Sequence, residues 1–323
     1  MLHVGVVTRH DDFHAHVVQR LLEEQGVRCS LFYADSLAWI GGLSWSSTAP
    51  AQHGVAAGRV RDADGEVVMV GDLHVMWWRR LTGPPQIPVK LSDSAAQDIV
   101  VTDCQAALLG VLLTDFRGTW ISAPEATRTA SNKLLQLRVA QRAGLRIPRT
   151  LVSQDPEAVR EFCKDNQVVV KPVAGAQDVA VATGVVRPDL LTDDAIRICP
   201  AIYQECIPGA RHLRISCFGK ALHAALLETT TLDWRYPLDC AVSEYALDDD
   251  TAARIRCVLA DLHLRMGMID MKFDDRGALV WLEINPQGQF MFLEGMCGTL
   301  SLSRSFRDFL ITEARLAASA RYG

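Results

Sequence analysis

Blocks of hydrophobic and polar positions follow one another along the chain and predict alternating strands and helices at its start. An apolar run over residues 3–8, a helical stripe over 14–25 and a second apolar run over 27–33 predict a β-α-β unit. A helix from about residue 92 to 113 and a further short strand follow. These patterns predict an α/β domain that occupies residues 1–124.

Two further units are predicted downstream, each with both helical and strand patterns. Residues 125–200 open with a helix that Ser131 can cap and that Gly144 ends, and strands and a second helix follow. Residues 201–323 contain strands, a long helix that Gly267 stops, a hairpin and a final amphipathic helix. The chain is therefore expected to consist of three α/β or α+β units.

Oxygen-bearing side chains cluster in the last predicted hairpin, which follows the long helix. If Asp275 pairs with Ala278 across the turn, Asp270 lies opposite Glu283, and Asn285 follows Glu283 on the same face. Two carboxylates and an amide oxygen so placed suit Mg²⁺, which prefers hard oxygen ligands. The alternation alone is explained equally well by a half-buried hairpin whose polar face meets water.

Cationic and polar residues at strand and helix ends are candidates for binding a nucleotide. Lys133 starts a helix, where anions are attracted, and Lys171 ends a buried apolar strand. Near the end of another strand, Gln204 or Glu205 could contact the amine of a flat heterocycle, and Arg214 faces a cleft or water. Taken singly, a solvated lysine and a surface glutamate at a strand end are the commoner explanations.

Composition excludes several classes of protein. A net charge of −5 and a pI near 6.0 argue against nucleic-acid binding as the main task. The apolar runs are short and interrupted, so no membrane span is expected. The nine cysteines are irregularly spaced and contain no Cys-x-x-Cys pair, which predicts a reduced, cytoplasmic protein without a zinc site.

The order of these motifs resembles the sequence skeleton of ATP-grasp ligases over roughly residues 130–295. It runs from Asn-Lys through Gly-Leu-x-Ile-Pro-x-Thr, Val-Lys-Pro, Gln-Glu-x-Ile-Pro and Leu-Arg-Ile to an Asp and Glu-x-Asn-Pro. Within that superfamily the chain is most similar to the ribosomal peptide maturases that make graspetides such as microviridins. The motifs that carry this similarity are WWRR at 77–80, LDWRYP at 232–237, MGMIDMKF, and LEINPQGQFMFLE at 282–294.

The resemblance implies an N-terminal pre-ATP-grasp α/β domain, a small central α+β module and a C-terminal α+β module. It also implies an ADP-forming ligase that uses ATP and Mg²⁺ to turn a carboxylate into an acyl phosphate. In this family the carboxylate belongs to Asp or Glu of a ribosomal precursor peptide, and Ser, Thr or Lys then forms the side-chain ester or amide. The positions that match the family's motifs imply a role for each residue. Lys133 and Lys171 would contact ATP phosphates, and Gln204, Glu205 and Ile207 would bind adenine. Asp270, Glu283 and Asn285 would hold the metal, and Arg214 would stabilise the γ-phosphate and the acyl phosphate.

The substrate peptide would be held by two further motifs. They contribute Arg79, Arg80, Asp233, Trp234 and Arg235, and the last three lie in a loop whose composition suits recognition of a partner, although surface packing explains it equally well. The resemblance also permits a homodimer.

The sequence departs from many relatives at one position, and other functions remain open. His212 stands where those relatives have an acidic residue, which puts a ribose or substrate contact there in doubt. Two alternatives remain: a ligase that adds a free amino acid to a peptide or protein, as RimK-like enzymes do, and a nucleotide-binding scaffold without turnover.

Overall fold

The fold is taken from a computed structural model, which describes residues 1–47, 58–80, 86–87, 93–164, 167–174, 183–187, 190–235 and 240–322. Its strands are β1 (His3–Thr8), β2 (Arg28–Tyr33), β3 (Arg59–Arg61), β4 (Val67–Met69), β5 (Val75–Trp78), β6 (Thr119–Ile121), β7 (Thr150–Ser153), β8 (Val168–Pro172), β9 (Gly184–Val185), β10 (Ala201–Glu205), β11 (Arg211–Phe218), β12 (Ala221–Glu228), β13 (Ala241–Tyr245), β14 (Met266–Phe273) and β15 (Leu279–Asn285). Its helices are α1 (Phe13–Glu23), α2 (Leu37–Ile40), α3 (Ser94–Asp115), α4 (Pro124–Ala130), α5 (Lys133–Arg142), α6 (Pro156–Cys163), α7 (Asp193–Ile198), α8 (Asp249–Asp261), α9 (Phe292–Met296) and α10 (Leu302–Tyr322).

The chain forms two compact units. Unit 1 contains Met1–Ala123 and Ser301–Gly323, and unit 2 contains Pro124–Leu300. The sequence pattern assigned the final helix, α10, to a C-terminal domain, whereas α10 packs against α1, β1 and β5 within unit 1. The reason is apolar burial, since Phe306 of α10 lies edge-on to Trp77 of β5 with ring centroids 4.6 Å apart. The division of unit 2 at residue 200 stays a prediction.

Unit 1 is built on a parallel four-stranded sheet in the order β2-β1-β5-β6. The predicted β-α-β unit at its start is confirmed, and Asp12 is the N-cap of α1, since its side chain accepts a hydrogen bond from the His14 N–H. The inner strands β1 and β5 are buried throughout, as expected of a parallel sheet that helices cover. A separate hairpin, β3–β4, pairs around a turn that contains Asp64 and Gly65.

Helix α3 is unusually apolar for its exposure. By length and composition it could cross a membrane, and 17% of its most apolar window is buried inside the structure. One such helix is weak evidence for a span. Here α3 follows β5 and precedes the parallel strand β6, and Leu108, Val111 and Leu112 pack it into the core of unit 1.

Unit 2 contains two antiparallel sheets, β7-β10-β8-β9 and β13-β12-β11-β14-β15. One face of the five-stranded sheet is apolar, and α5 and α8 contribute Val139, Ala140, Ile255 and Leu259 to the core that covers it. Along β11 and β14 the sheet residues in this core alternate, as period-two patterning requires. The sheet residues in this core are Leu213, Ile215, Cys217, Ala224, Ile269, Met271, Phe273, Trp281 and Ile284.

Two predicted helix boundaries were wrong. The N-cap of α5 is Asn132 rather than Ser131, because the Asn132 carboxamide oxygen accepts from the N–H groups of Leu134 and Leu135. The Ser131 hydroxyl instead donates to the Thr127 carbonyl. Helix α8 ends at Asp261, and Gly267 lies inside β14, where a Cβ would come within 2.7 Å of the Ile284 side chain. That glycine is therefore needed for close packing.

Buried histidines make the stability of unit 1 sensitive to mild acid. Burial lowers the pKa values of His3 and His14 to about 4, and Arg28 and Arg79, respectively, add to the effect. Between about pH 6.5 and 4 the unfolded chain binds protons that the folded chain excludes, so stability falls as the pH falls. We expect each histidine to contribute about 1–3 kcal/mol to this loss.

Urea unfolding at pH 7.5, 6 and 5 measures this effect. His14→Gln should flatten the dependence of the unfolding free energy on pH over this range, while His16→Gln, an exposed histidine on the same helix, provides the matched control. An unchanged slope in His14→Gln would contradict the prediction.

Candidate active site

A cleft of about 130 Å³ in unit 2 contains most of the candidate residues. The polar face of the five-stranded sheet forms one wall, and the strands β8 and β10 contribute the other. The lining includes Lys133, Lys171, Gln204, Glu205, Ile207, His212, Asp233, Trp234, Arg235, Asp270, Lys272 and Glu283.

A β-bulge places Glu283 in this cleft. The turn of the hairpin pairs Asp274 with Ala278 by hydrogen bonds, not Asp275 with Ala278 as the sequence suggested. A uniform ladder from this turn would misalign the acidic residues, but the register shifts between Asp270 and Met271, and Asp270 lies opposite Glu283 as predicted. Trp281 and Glu283 are two positions apart and would share one face of a regular strand. The extra residue of the bulge, Leu282, lets Trp281 enter the core while Glu283 faces the cleft.

The Asp270 carboxylate has one bound oxygen and one that lacks a partner. Its Oδ2 accepts a hydrogen bond from Arg214 Nη1 at 2.6 Å, and Arg214 Nη2 also donates to the Gln289 carbonyl at 3.1 Å. The buried Oδ1 has no hydrogen-bond partner in the part of the chain that the structure describes. Asn285 lies two residues beyond Glu283 on the same face, opposite Met268. The arrangement leaves an oxygen free to accept a ligand.

Charges around the two carboxylates move their pKa values in opposite directions. Burial raises the pKa of Asp270, and nearby Glu283 adds to this effect while Arg214 opposes it. Burial also favours the protonated form of Glu283, but Lys133, Lys171 and other cations outweigh it and lower the pKa of Glu283. Lys133 Nζ lies 3.6 Å from Glu283 Oε2. At neutral pH Glu283 is therefore a carboxylate among cations.

Lys171 is held at the floor of the cleft by a polar relay. Its ammonium donates to Gln204 Oε1 at 2.9 Å, and Gln204 Nε2 donates to the Thr150 hydroxyl at 3.0 Å. This relay joins β8, β10 and β7. Burial lowers the pKa of Lys171, with Glu283 opposing and Lys133 adding to the effect. Gln204, a candidate for adenine binding, thus orients Lys171.

Gln136 positions the acidic strand and was missed by the sequence analysis. Its carboxamide donates to the Ile284 carbonyl at 2.8 Å and accepts from the Ile284 N–H at 3.0 Å, so α5 is clamped onto β15. A third bond runs to the Ala130 carbonyl at 2.7 Å. This clamp brings Lys133, one turn away on α5, beside Glu283. The sequence signal for this role was a glutamine among the apolar positions of the predicted helix, because a buried polar side chain needs a hydrogen-bond partner.

The segment after β10 offers backbone groups to the cleft. The Glu205 carboxylate accepts from the Arg149 N–H at 3.0 Å, and the Glu205 N–H donates to the Arg149 carbonyl at 2.9 Å. The Cys206 N–H is likewise bonded to the Gln167 carbonyl at 2.8 Å. Ile207 is buried, and its N–H has no such backbone partner among the described residues. Contact with a heterocycle edge would thus come from backbone atoms near Ile207.

The loop at residues 232–235 enters the same cleft. Arg235 donates to Asp233 from Nε at 2.7 Å and from Nη2 at 2.6 Å, and these hydrogen bonds raise the pKa of Arg235. Trp234 is 8% exposed and stacks on Phe292 with ring centroids 5.6 Å apart, and the Arg214 guanidinium lies 5.7 Å from its ring centre. Trp234 therefore supports Arg214. The rest of the LDWRYP motif lies outside the described residues.

The other predicted peptide-binding pair, Arg79 and Arg80, lies in unit 1. Arg79 is 0% exposed and forms an ion pair with Asp12, at 2.5 Å from Nε to Oδ2, so its side chain offers no surface to a peptide. Its guanidinium also lies 4.8 Å from the ring centre of Trp77. These contacts correct the prediction for Arg79, since its interactions are internal. Arg80 is half-buried, and its role as a peptide contact stays a prediction.

No family model matches this chain, and no curated protein matches it. Among solved structures, the macrocyclase MdnC from Microcystis aeruginosa MRC, bound with precursor peptide MdnA, has a TM-score of 0.82 at 24% identity, with 96% of this chain and 99% of that chain covered. A RiPP-associated ATP-grasp ligase from Chryseobacterium gregarium, in complex with ADP and a leader and core peptide, has a TM-score of 0.84 at 24% identity, covering 97% of both chains.

A third similar structure is the ATP-grasp ligase PsnB, complexed with minimal precursor, Mg and ADP. Its TM-score is 0.77 at 22% identity, and 96% of this chain and 97% of that chain are covered. At these identities the similarity establishes the fold. The predicted ATP-grasp fold is thus confirmed over nearly the whole chain.

Proposed function

We propose that this chain is an ADP-forming ATP-grasp ligase that activates Asp or Glu side chains of a ribosomal precursor peptide. The observation that carries the proposal is that the buried Asp270 and the half-buried Glu283 share one cleft with Lys133 and Lys171. A site that brings a triphosphate and a carboxylate together requires such a cluster of acidic and cationic side chains. The three similar structures, whose names include ligase or macrocyclase, support the same reaction class.

The acidic residues fit Mg²⁺. Asp270 has a buried oxygen without a partner, Glu283 is ionised, and Asn285 extends the same face of the strand. All three offer the hard oxygen donors that Mg²⁺ prefers, and we assign them as its ligands. When bound, the ion would neutralise phosphate charge. Arg214 donates to the Asp270 carboxylate, which fixes its orientation and opposes the rise that burial causes in the pKa of Asp270.

The nucleotide would span the cleft from the end of β10 to the acidic pair. In this proposal Ile207 and the backbone near Glu205 bind adenine, and Lys133 and Lys171 bind phosphates. Burial disfavours the charged form of Lys171, and a phosphate bound beside it would stabilise the ammonium. Gln204 contributes by holding that ammonium in place.

The reaction we propose has two displacements. A carboxylate oxygen of the peptide attacks the γ-phosphorus of ATP, the bond from that phosphorus to the β-phosphate oxygen breaks, and ADP leaves. A Ser or Thr hydroxyl, or a Lys amine, then attacks the acyl carbon, and phosphate leaves as the nucleophile loses its proton. Arg214 and Arg235 face the acidic pair and would stabilise negative charge on the transferred group.

The precursor peptide is the proposed partner, and the cytoplasm is the proposed compartment. Asp233, Trp234 and Arg235 form the cleft wall where we place the peptide, with Trp234 acting through its stack on Phe292. We also propose that the chain forms a homodimer.

A second candidate function is the addition of a free amino acid to a peptide. This reaction would need the same acyl phosphate, and incorporation of a labelled amino acid would identify it.

Product analysis tests the proposal. Purified protein, ATP, Mg²⁺ and an acid-rich peptide with Ser, Thr and Lys should yield ADP and phosphate, with the peptide losing one water mass per bond formed. Turnover should fall to background without Mg²⁺ and rise when peptide is added. AMP and pyrophosphate as the products would overturn the reaction class, and ADP formation with unmodified peptide would overturn the ligation.

A further inference from the structure

The start of β11 indicates which end of the polar face of the five-stranded sheet would receive adenine. β11 begins at Arg211, four residues after Ile207, and a Cβ on Gly209 would lie 2.6 Å from the Phe273 carbonyl oxygen. The segment after β10 therefore meets the sheet where β11 starts and β14 ends. A nucleotide that extends from this segment to Asp270 places its γ-phosphate over the middle of β11, and the group to which that phosphate is transferred lies over the second half of the strand.

His223 is the titratable side chain on this second half of the polar face. On β12 it pairs with Ser216 of β11, two residues beyond Arg214. Its sequence neighbours Leu222 and Ala224 pack against the core, so the His223 side chain lies on the polar face. Beside Ser216, the described strands place on this part of the face Phe218, Ala221, Met266, Met268 and Asn285. None of these side chains titrates.

The segment after β15 covers part of this half of the face. Phe290 packs on Phe218 with ring centroids 5.1 Å apart. Gly288 lies against Met268, and a Cβ on this glycine would come within 2.6 Å of Met268 Cγ. These contacts close the β14 side and the far end of β11, so a substrate would approach from the β12 side, where His223 is half-buried.

Arg214 and His223 form the corner that remains on the β12 side. Ala225 is the residue opposite Arg214 and adds only a methyl group, which makes His223 the diagonal neighbour of Arg214, at about 7–8 Å between Cα atoms. Arg214 Nε and Ser216 Oγ, beside this corner, are buried and have no hydrogen-bond partner within the described residues. Buried polar groups normally have a partner, and a bound substrate would supply it.

The His223 imidazole can accept a proton at neutral pH. Burial lowers the pKa of His223, and the nearby carboxylate of Glu244 on β13 opposes that effect. The imidazole is therefore uncharged at pH 7, and one of its nitrogens has a free lone pair for a proton. Phe218 packs beside the ring, with centroids 6.0 Å apart.

We propose that His223 accepts the proton of a Ser or Thr hydroxyl as that hydroxyl attacks the acyl phosphate. The hydroxyl oxygen bonds to the acyl carbon, the bond from that carbon to the phosphate oxygen breaks, and the hydroxyl proton passes to the imidazole. An alcohol needs such an acceptor because its oxygen becomes a strong nucleophile only as the proton leaves. The inference rests on the proposed function, because it requires an acyl phosphate beside Arg214.

Trapping with hydroxylamine separates the two displacements. Hydroxylamine attacks an acyl phosphate without the help of a proton acceptor, so the yield of hydroxamate reports the first displacement alone. The assay contains ATP, Mg²⁺ and a peptide of Asp and Thr residues without Ser or Lys. In His223→Gln, dehydration of this peptide should fall about 10²-fold, while the hydroxamate yield should stay within about twofold of wild type.

Two further variants separate proton transfer from a structural role. His223→Phe keeps a ring beside Phe218 without a proton acceptor and should behave as His223→Gln does. His263→Asn removes an exposed histidine of the same unit, at a positive φ that asparagine tolerates, and should leave both yields unchanged.

The outcomes distinguish this inference from the proposed function. Equal losses of hydroxamate and dehydration in both His223 variants, or near wild-type dehydration in them, would overturn the inference alone. A wild type that dehydrates a peptide of Asp and Lys but not the Thr peptide would also overturn it. If the folded wild type forms neither hydroxamate nor dehydrated peptide, the proposed function is overturned as well.

Discussion

Glu283→Gln is expected to abolish ligation while the fold persists. The substitution keeps the shape of the side chain but removes the charge that Mg²⁺ needs, and we expect ADP release and peptide dehydration to fall at least about 10²-fold. Stability should change by less than about 1 kcal/mol, because the contact with Lys133 is a loose pair of 3.6 Å with both side chains partly exposed.

Nucleotide binding distinguishes a metal ligand from a structural residue at this position. Without Mg²⁺, Glu283→Gln should bind ATP as tightly as wild type or more tightly, since it removes a carboxylate that repels phosphate. With Mg²⁺ the variant should bind more weakly than wild type. Glu228→Gln, an exposed carboxylate at the end of β12, is the matched control. Near wild-type turnover in Glu283→Gln would show that the residue is a surface group.

Arg214→Ala is expected to remove both activity and stability. Arg214 is buried with Asp270, and loss of the guanidinium leaves that carboxylate buried without its partner. Breaking a buried pair in this way costs about 3–5 kcal/mol. We also expect turnover to fall at least about 10²-fold, because the proposed reaction places transferred phosphate charge beside this cation.

A double-mutant cycle separates these two effects. Asp270→Asn combined with Arg214→Ala removes the unpaired charge, so the double variant should recover part of the unfolding free energy in urea but no turnover. Arg276→Ala, in the exposed hairpin turn, controls for loss of an arginine. If the double variant is no more stable than Arg214→Ala, the ion pair does not carry the stability assigned to it.

Local patterns were sufficient to predict the elements near the site. The apolar residues Ile269, Met271 and Phe273 alternate in the sequence of β14, and all three lie in the core. It also placed Asp270 opposite Glu283, although through a turn pairing that was wrong by one residue. The bulge compensated for that error. Sequence alone does not show such a bulge, because the packing of Trp281 against distant helices decides where the ladder shifts.

Long-range contacts account for what was missed. Gln136 and Ile284 are 148 positions apart, so no local pattern links them, yet their paired hydrogen bonds position the acidic strand. Arg79 was predicted to contact the peptide because it stands in the WWRR motif, which carries the resemblance to the peptide maturases. Its burial follows from Asp12, 67 residues away, which supplies the partner that makes an internal guanidinium tolerable.

The Gln136 clamp also limits how a peptide can approach. β15 is the last strand of its sheet, and outermost strands commonly recruit an extended peptide as an additional strand. Here Gln136 occupies both backbone groups of Ile284, and the Trp281 N–H donates to the Arg146 carbonyl at 2.8 Å. With these groups taken, β-augmentation at this part of the sheet edge is blocked. In the proposed reaction, the peptide would therefore bring its acidic side chain to the cleft over the polar face of the sheet.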